Sequence, residues 1–258
     1  MTPTSKQREA MRREKAAALR HAEQTRRRRR SRLIVTGSAL GVLALVAIVA
    51  VVVSTRSSGS SGALVQPPGV VNVSSSRSAG VYQVGRSDAP ATVDLYEDFQ
   101  CPACETFETQ TGPTVGRLVD GGKIKVRYHV LSFIDDNVGG SYSARAANAA
   151  ACVQANAPEK FRAFHDALYR NQPKEGSNPP DPVLLDAARG VGVTGAAFTT
   201  CVQDRTYKTY VSRVQDEASK AGINQTPTIL LNGREMQGGE RTPDGFTAAV
   251  DKAVGPAK

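Results

Sequence analysis

Four cysteines carry the chemistry this sequence promises: Cys101, Cys104, Cys152 and Cys201. The first two form a Cys-x-x-Cys motif, Cys101-Pro102-Ala103-Cys104. Before it runs Ala91 to Phe99 (ATVDLYEDF), rich in strand formers; after it, Ala103 to Val119 carries apolar residues at helical spacing. A dithiol between a strand and a helix is the setting in which Cys-x-x-Cys performs redox chemistry. Cys101 would stand at the helix N-cap, where free backbone N–H groups and the positive dipole end favour a thiolate. Pro102 suits the first helical position, since its missing N–H is not needed there. Cys104 falls about one turn on, close enough to close a small disulfide.

Two blander readings compete. Structural zinc takes four ligands, usually as two close pairs, and Cys152 and Cys201 have no partner at short spacing. No metal is therefore expected. A purely structural disulfide within the motif would close so short a loop that it constrains the unfolded chain little. Redox catalysis is the better account. Four cysteines nonetheless allow three pairings. Of the three histidines, His129 falls in a strand pattern and His165 beside the apolar stripe Phe161, Phe164 and Leu168, so both read as core-edge residues. His21 belongs to the N-terminal tail. The sequence contains no Gly-rich phosphate loop, no His-Glu-x-x-His and no nucleophile elbow.

The elements that must position the dithiol occupy the last 180 residues or so of a 258-residue chain. Residues 1–32 hold 12 Lys/Arg against three Glu, which accounts for the whole formal charge of +9. The rest of the chain is neutral overall, which argues against a nucleic-acid-binding domain. From Leu33 to Val53 no residue is charged. As a helix this stretch spans roughly 31 Å, enough for a bilayer core. With Arg26 to Arg30 and Arg32 before it and no A-x-A site after it, it reads as an uncleaved signal anchor. The tail is then cytoplasmic and everything after residue 53 extracytoplasmic. Residues 54–79, rich in serine, read as a linker, and residues 80–258 as the globular domain.

Within that domain the pattern is α/β with a helical middle. Lys123 to Phe133 alternates like a strand, and Ser141 to Ala155 and Glu159 to Tyr169 read as helices. A short helix follows near Val183 to Arg189, then a longer one from about Gly195 to Ala221. Thr228 to Leu231 is a strand, Asn232-Gly233 a hairpin turn, and Asp244 to Val254 a last helix.

The run DAPATVDLYEDFQCPACETFE resembles the opening of the DsbA-like thiol:disulfide oxidoreductases. FRAFHDALY and GINQTPTILLNG fit later parts of the same family, over about residues 82 to 254. The resemblance implies a thioredoxin fold with an inserted helical domain at about residues 140–222. It implies Cys101 as the exposed nucleophile, Cys104 as its buried partner, and Thr226-Pro227 as a cis-proline loop presenting backbone to substrate. The implied activity is disulfide introduction into exported proteins with free thiols. No cofactor is needed, and a membrane quinone-linked thiol oxidase restores the disulfide.

Two departures stand out. The dipeptide is Pro-Ala where strongly oxidising members carry Pro-His. The acid that many members place six residues before the first cysteine is here Leu95, with Asp94 and Glu97 nearby as alternative proton acceptors or as ordinary solvated carboxylates. The same residues would also serve a reductase or isomerase, or a binding module that does no chemistry. With Cys101 and Cys104 paired to each other, Cys152 and Cys201 in the helical insertion can form a second disulfide; two small buried thiols is the alternative.

Overall fold

A computed structural model describes residues 65–71 and 80–255. The basic tail, the apolar segment 33–53 and most of the linker lie outside the described residues. Among those described, no helix is long and apolar enough to cross a membrane.

Five strands form one mixed sheet, β1 (Tyr82–Val84), β2 (Ala91–Glu97), β3 (Ile124–Val130), β4 (Thr228–Leu231) and β5 (Arg234–Glu235), in the order β1-β3-β2-β4-β5. β2 runs parallel to β3, placing Asp94 beside Arg127 and Tyr96 beside His129; the remaining pairs are antiparallel. β2 lies between β3 and β4 with all but Thr92 buried, which is why its sequence does not alternate cleanly. The β4–β5 turn places Asn232 at φ 50° and Gly233 at φ 83°, the left-handed pair that a tight hairpin requires.

The helix after the dithiol is two helices, α1 (Pro102–Gln110) and α2 (Gly112–Asp120). Pro113 accounts for the break: it offers no N–H to the preceding turn and its ring clashes there. Thr111 sits at the joint and donates its hydroxyl to the Arg241 carbonyl at 2.7 Å. β3 ends at Val130, short of the expected Phe133, which instead opens α3 (Phe133–Val138). The insertion continues with α4 (Tyr142–Asn156), α5 (Phe161–Arg170) and α6 (Pro182–Gly190). The expected long helix is also divided, into α7 (Ala196–Gln203) and α8 (Lys208–Lys220). Between them Arg205 adopts φ 54° and its guanidinium grips the Asp181 carboxylate, which also binds Arg145. α9 (Pro243–Val254) closes the described chain.

Cys152 on α4 and Cys201 on α7 are joined by a disulfide. In the chain-entropy model a loop of this size is worth roughly 4 kcal/mol. Part of the segment read as linker packs on the domain: Val71 exchanges both backbone hydrogen bonds with Val81, and Pro67 is buried. Gly80, at φ 76°, makes this approach possible, since a Cβ there would sit 2.5 Å from Val70.

Candidate active site

The loop from β2 to α1 is fixed before the cysteines begin. Asp98 is fully buried and its carboxylate accepts hydrogen bonds from Gln100 N (2.8 Å), Ser143 Oγ (2.6 Å) and Ile134 N (2.8 Å). Burial pushes its carboxyl up to about 7. Its carbonyl accepts from Cys101 N at 3.0 Å. The insertion grips the loop again through Gln172, whose amide donates to the Cys101 carbonyl at 3.0 Å. Gln100 in turn donates to the carbonyls of Lys174 and Ser177.

Cys101 is the N-cap of α1, with Pro102 at the first helical turn. Its thiol is lowered to about 6, first by the hydrogen bond with the Cys104 side chain, against burial, with Thr226 and the N–H groups of Cys104 and Ala103 adding to the effect. Pro102 and Ala103 are exposed between the cysteines. The two sulfurs are not bonded to each other or to another cysteine. Cys104 is fully buried, and burial, Cys101 and the charge of Glu97 push its thiol up. Cys101, read as exposed, retains only 6% of its surface. One reason lies across the groove: the Thr226-Pro227 bond is cis, and Cys101 Sγ lies 3.3 Å from the Thr226 carbonyl.

The two acids proposed for proton transfer part company. Side chains alternate along a strand, so Asp94 and Glu97 emerge on opposite faces of β2. Asp94 turns to His129 Nε2 at 3.0 Å and to Arg127 at 3.8 Å, away from the dithiol. Its side chain is largely buried, on the face of β2 opposite Glu97. Glu97 is buried on the cysteine side and accepts from His165 Nε2 at 2.9 Å. Leu95 is buried core.

Sequence reasoning missed Glu108, four residues after Cys104 on the same helix, and it read His165 as a core-edge residue. One ligating atom each from Glu97, Glu108 and His165 lies within 4.8 Å of the others. The i, i+4 spacing from Cys104 was the available signal for Glu108. His165 stands 68 positions from Glu97, and only the folded insertion brings them together.

Chemically, the arrangement presents one activated thiol beside a backbone-presenting proline loop, a buried second thiol, and a buried acid cluster behind it. The family model described as Thioredoxin matches residues 78–252. The chain is 35% identical over 130 residues to the serine/threonine-protein kinase PknE of Mycobacterium tuberculosis, covering 48% of this chain and 23% of the kinase. It is 30% identical over 159 residues to disulfide bond formation protein D of Bacillus subtilis, covering 60% of this chain and 68% of that protein. The structure of reduced DsbA from Mycobacterium tuberculosis superposes with a TM-score of 0.59 at 34% identity, over 68% of this chain and 93% of that one. With its dithiol between β2 and α1, its cis-proline loop and a matching family model over most of its length, the chain belongs to the thioredoxin family, in the branch of DsbA-like thiol:disulfide oxidoreductases.

Proposed function

We propose that this protein introduces disulfides into exported proteins through Cys101 and Cys104. A client thiolate attacks the Cys101 sulfur of the oxidised enzyme; the Cys101–Cys104 bond breaks, and Cys104 leaves and takes up a proton. A second client thiolate attacks the client sulfur of the mixed disulfide, and Cys101 departs as a thiolate. Thr226 and Pro227 present backbone to the client, and the exposed Pro102-Ala103 pair forms the rest of its landing surface. The carrying observation is the Cys101 thiol at about 6, because an oxidant needs a stable leaving thiolate. That value falls between about 7 for thioredoxin and about 3.5 for DsbA. At pH 7 it supplies about 1 kcal/mol more thiolate stabilisation than a value of 7, or about 20 mV. The Pro-Ala dipeptide is consistent with this modest figure and keeps the reductase as the second reading.

The test is the reduction potential against glutathione, expected clearly above thioredoxin's value of about −270 mV. A potential at or below that value would promote the reductase. Cys101→Ala should lose all refolding of a reduced, disulfide-requiring client, while Cys104→Ala should accumulate mixed disulfides. Reoxidation we assign to a quinone-linked membrane thiol oxidase. We assign the anchor to residues 33–53, with residues 80–258 extracytoplasmic. Protease added to spheroplasts should then digest the domain and spare the tail; a protected domain would reverse the topology.

A further inference from the structure

Cys101 is bonded on both sides of its Cα. Its N–H donates to the Asp98 carbonyl at 3.0 Å, and its carbonyl accepts from Cys104 N at 3.0 Å and Glu105 N at 3.1 Å. A carbonyl oxygen has two lone pairs, and bonds shared between two backbone groups are common at helix ends. A third donor comes from a side chain 71 positions away, the Gln172 amide at 3.0 Å. Among the described residues, this amide and the Thr226 carbonyl are the two groups that reach Cys101 by hydrogen bond from outside the segment 98–105.

Gln172 is itself held where it stands. It follows α5, and its own N–H donates to the Tyr169 carbonyl at 3.2 Å. Tyr169 in turn donates its hydroxyl to the Asp98 carbonyl, also at 3.2 Å. Further along the loop, the Lys174 and Ser177 carbonyls accept the amide of Gln100 at 2.9 and 2.7 Å, and Gln100 has no exposed surface. The far end is pinned by Arg145 of α4, which donates to Asn178 Oδ1, to the Pro179 carbonyl and to the Asp181 carboxylate. The loop 171–181 is therefore fastened at both ends, and it offers one amide donor to the carbonyl of Cys101.

The consequence falls on the sulfur. Cys101 Sγ hangs from the Cα between two soft dihedrals, φ −79° and ψ 119°, and anchoring the N–H on one side and the carbonyl on the other restrains both. The N–H groups of Cys104 and Ala103 help to lower the Cys101 thiol, and such bonds weaken steeply once their geometry is lost. The amide also draws on a carbonyl oxygen of the residue that must carry the thiolate, which reduces a repulsion within Cys101. We propose that Gln172 is a positioning residue for the redox reaction: through its amide the helical insertion holds Cys101 so that the sulfur faces the α1 N–H groups and leaves readily as a thiolate. This role presupposes the dithiol chemistry of Cys101 and Cys104. Gln172 acts through the Cys101 backbone, and it tunes how oxidising the pair is.

The test uses the full chain and two variants. Gln172→Met keeps the length of the side chain and deletes the donor; Gln172→Glu keeps its shape and turns an acceptor toward the carbonyl. Alkylation of Cys101 in the reduced protein should show its midpoint rise by about half to one pH unit in Gln172→Met, the worth of one hydrogen bond. In Gln172→Glu it should rise further. A glutathione titration at pH 7 should find the dithiol potential of Gln172→Met lower by about 10–20 mV, the same shift read as a potential. The wild-type protein supplies a measure that needs no variant at position 172. NMR resonances of the Gln172 side-chain amide should move as Cys101 titrates and stay still in Cys101→Ala. An unmoved midpoint and potential in Gln172→Met, whatever its stability, would make Gln172 a fastener of the loop alone and overturn the proposal. An amide that ignores the titration would overturn it too. If glutathione fails to close the disulfide at all, the oxidoreductase reading fails, and alkylation and NMR still decide the role of Gln172.

Discussion

The two faces of β2 each bury a histidine against a carboxylate, and the two histidines end in opposite charge states. On the face away from the dithiol, His129 is fully buried, meets Asp94 at 3.0 Å and stacks on Tyr96 with ring centroids 3.9 Å apart. Burial lowers it, and the Arg127 cation works in the same direction against Asp94. On the dithiol face, His165 is equally buried, but three carboxylates surround it and it is raised to about 10. Burial alone does not set the charge of an imidazole. The count and sign of the charges it faces decide whether desolvation wins. The face carrying the buried charge is also the one from which Glu97 acts on the Cys104 thiol.

Removing Glu97 should produce the largest effect. Glu97→Ala leaves an imidazolium beneath Cys104 with one anchor gone, and breaking a buried pair in this way costs about 3–5 kcal/mol. Chemical denaturation of the reduced protein measures it. A loss below about 1 kcal/mol would mean that His165 is neutral in the fold and that the two faces are alike.

Proton linkage sharpens the contrast, because the two histidines bend the stability curve at opposite ends. The folded value of His165 is raised, so its contribution is fully present below the unfolded value of about 6.5 and is lost as pH climbs toward 10. The folded value of His129 is lowered, so stability falls as pH drops through about 6.5, where the unfolded chain takes up a proton the fold refuses. His165→Gln should therefore flatten the alkaline side and His129→Gln the acid side. NMR should find the His129 ring neutral and the His165 ring charged at pH 7. Two neutral rings would erase the distinction.

Much of the first tier was legible in the sequence because it is local. Cys101 to Cys104 sit within one helical turn, and Thr226-Pro227 announces itself as a dipeptide. The break at Gly112-Pro113 was equally local, yet the apolar spacing was read straight across it as one helix, although an interior proline kinks or breaks a helix. The break at Arg205 was not, because that residue is held at φ 54° beside a clamp on Asp181, 24 positions away. Asp94 and Glu97 were indistinguishable by type. What separates them is strand parity, together with a helical insertion that carries His165 back over one face and not the other. Periodicity assigns the alternation of faces but not which face the insertion covers.

The smallest expected effect is the strongest check on that separation. Asp94→Asn keeps the shape of the side chain and removes one charge from the far face. Because His129 is neutral there, the change weakens a hydrogen bond instead of stranding a buried cation, and should cost about 1 kcal/mol. The nearby Arg127 loses only a partner at 3.8 Å. The altered charge sits across the sheet from the sulfurs, with the packed residues Val93 and Leu95 on the other face of the strand. The Cys101 titration near 6 and the dithiol potential should therefore remain where they are. Rapid alkylation of Cys101 across pH and a glutathione redox titration measure the two quantities. A shift of about 30 mV or more, equivalent to about 1.4 kcal/mol, would show that the two faces of β2 act on the dithiol as one electrostatic field.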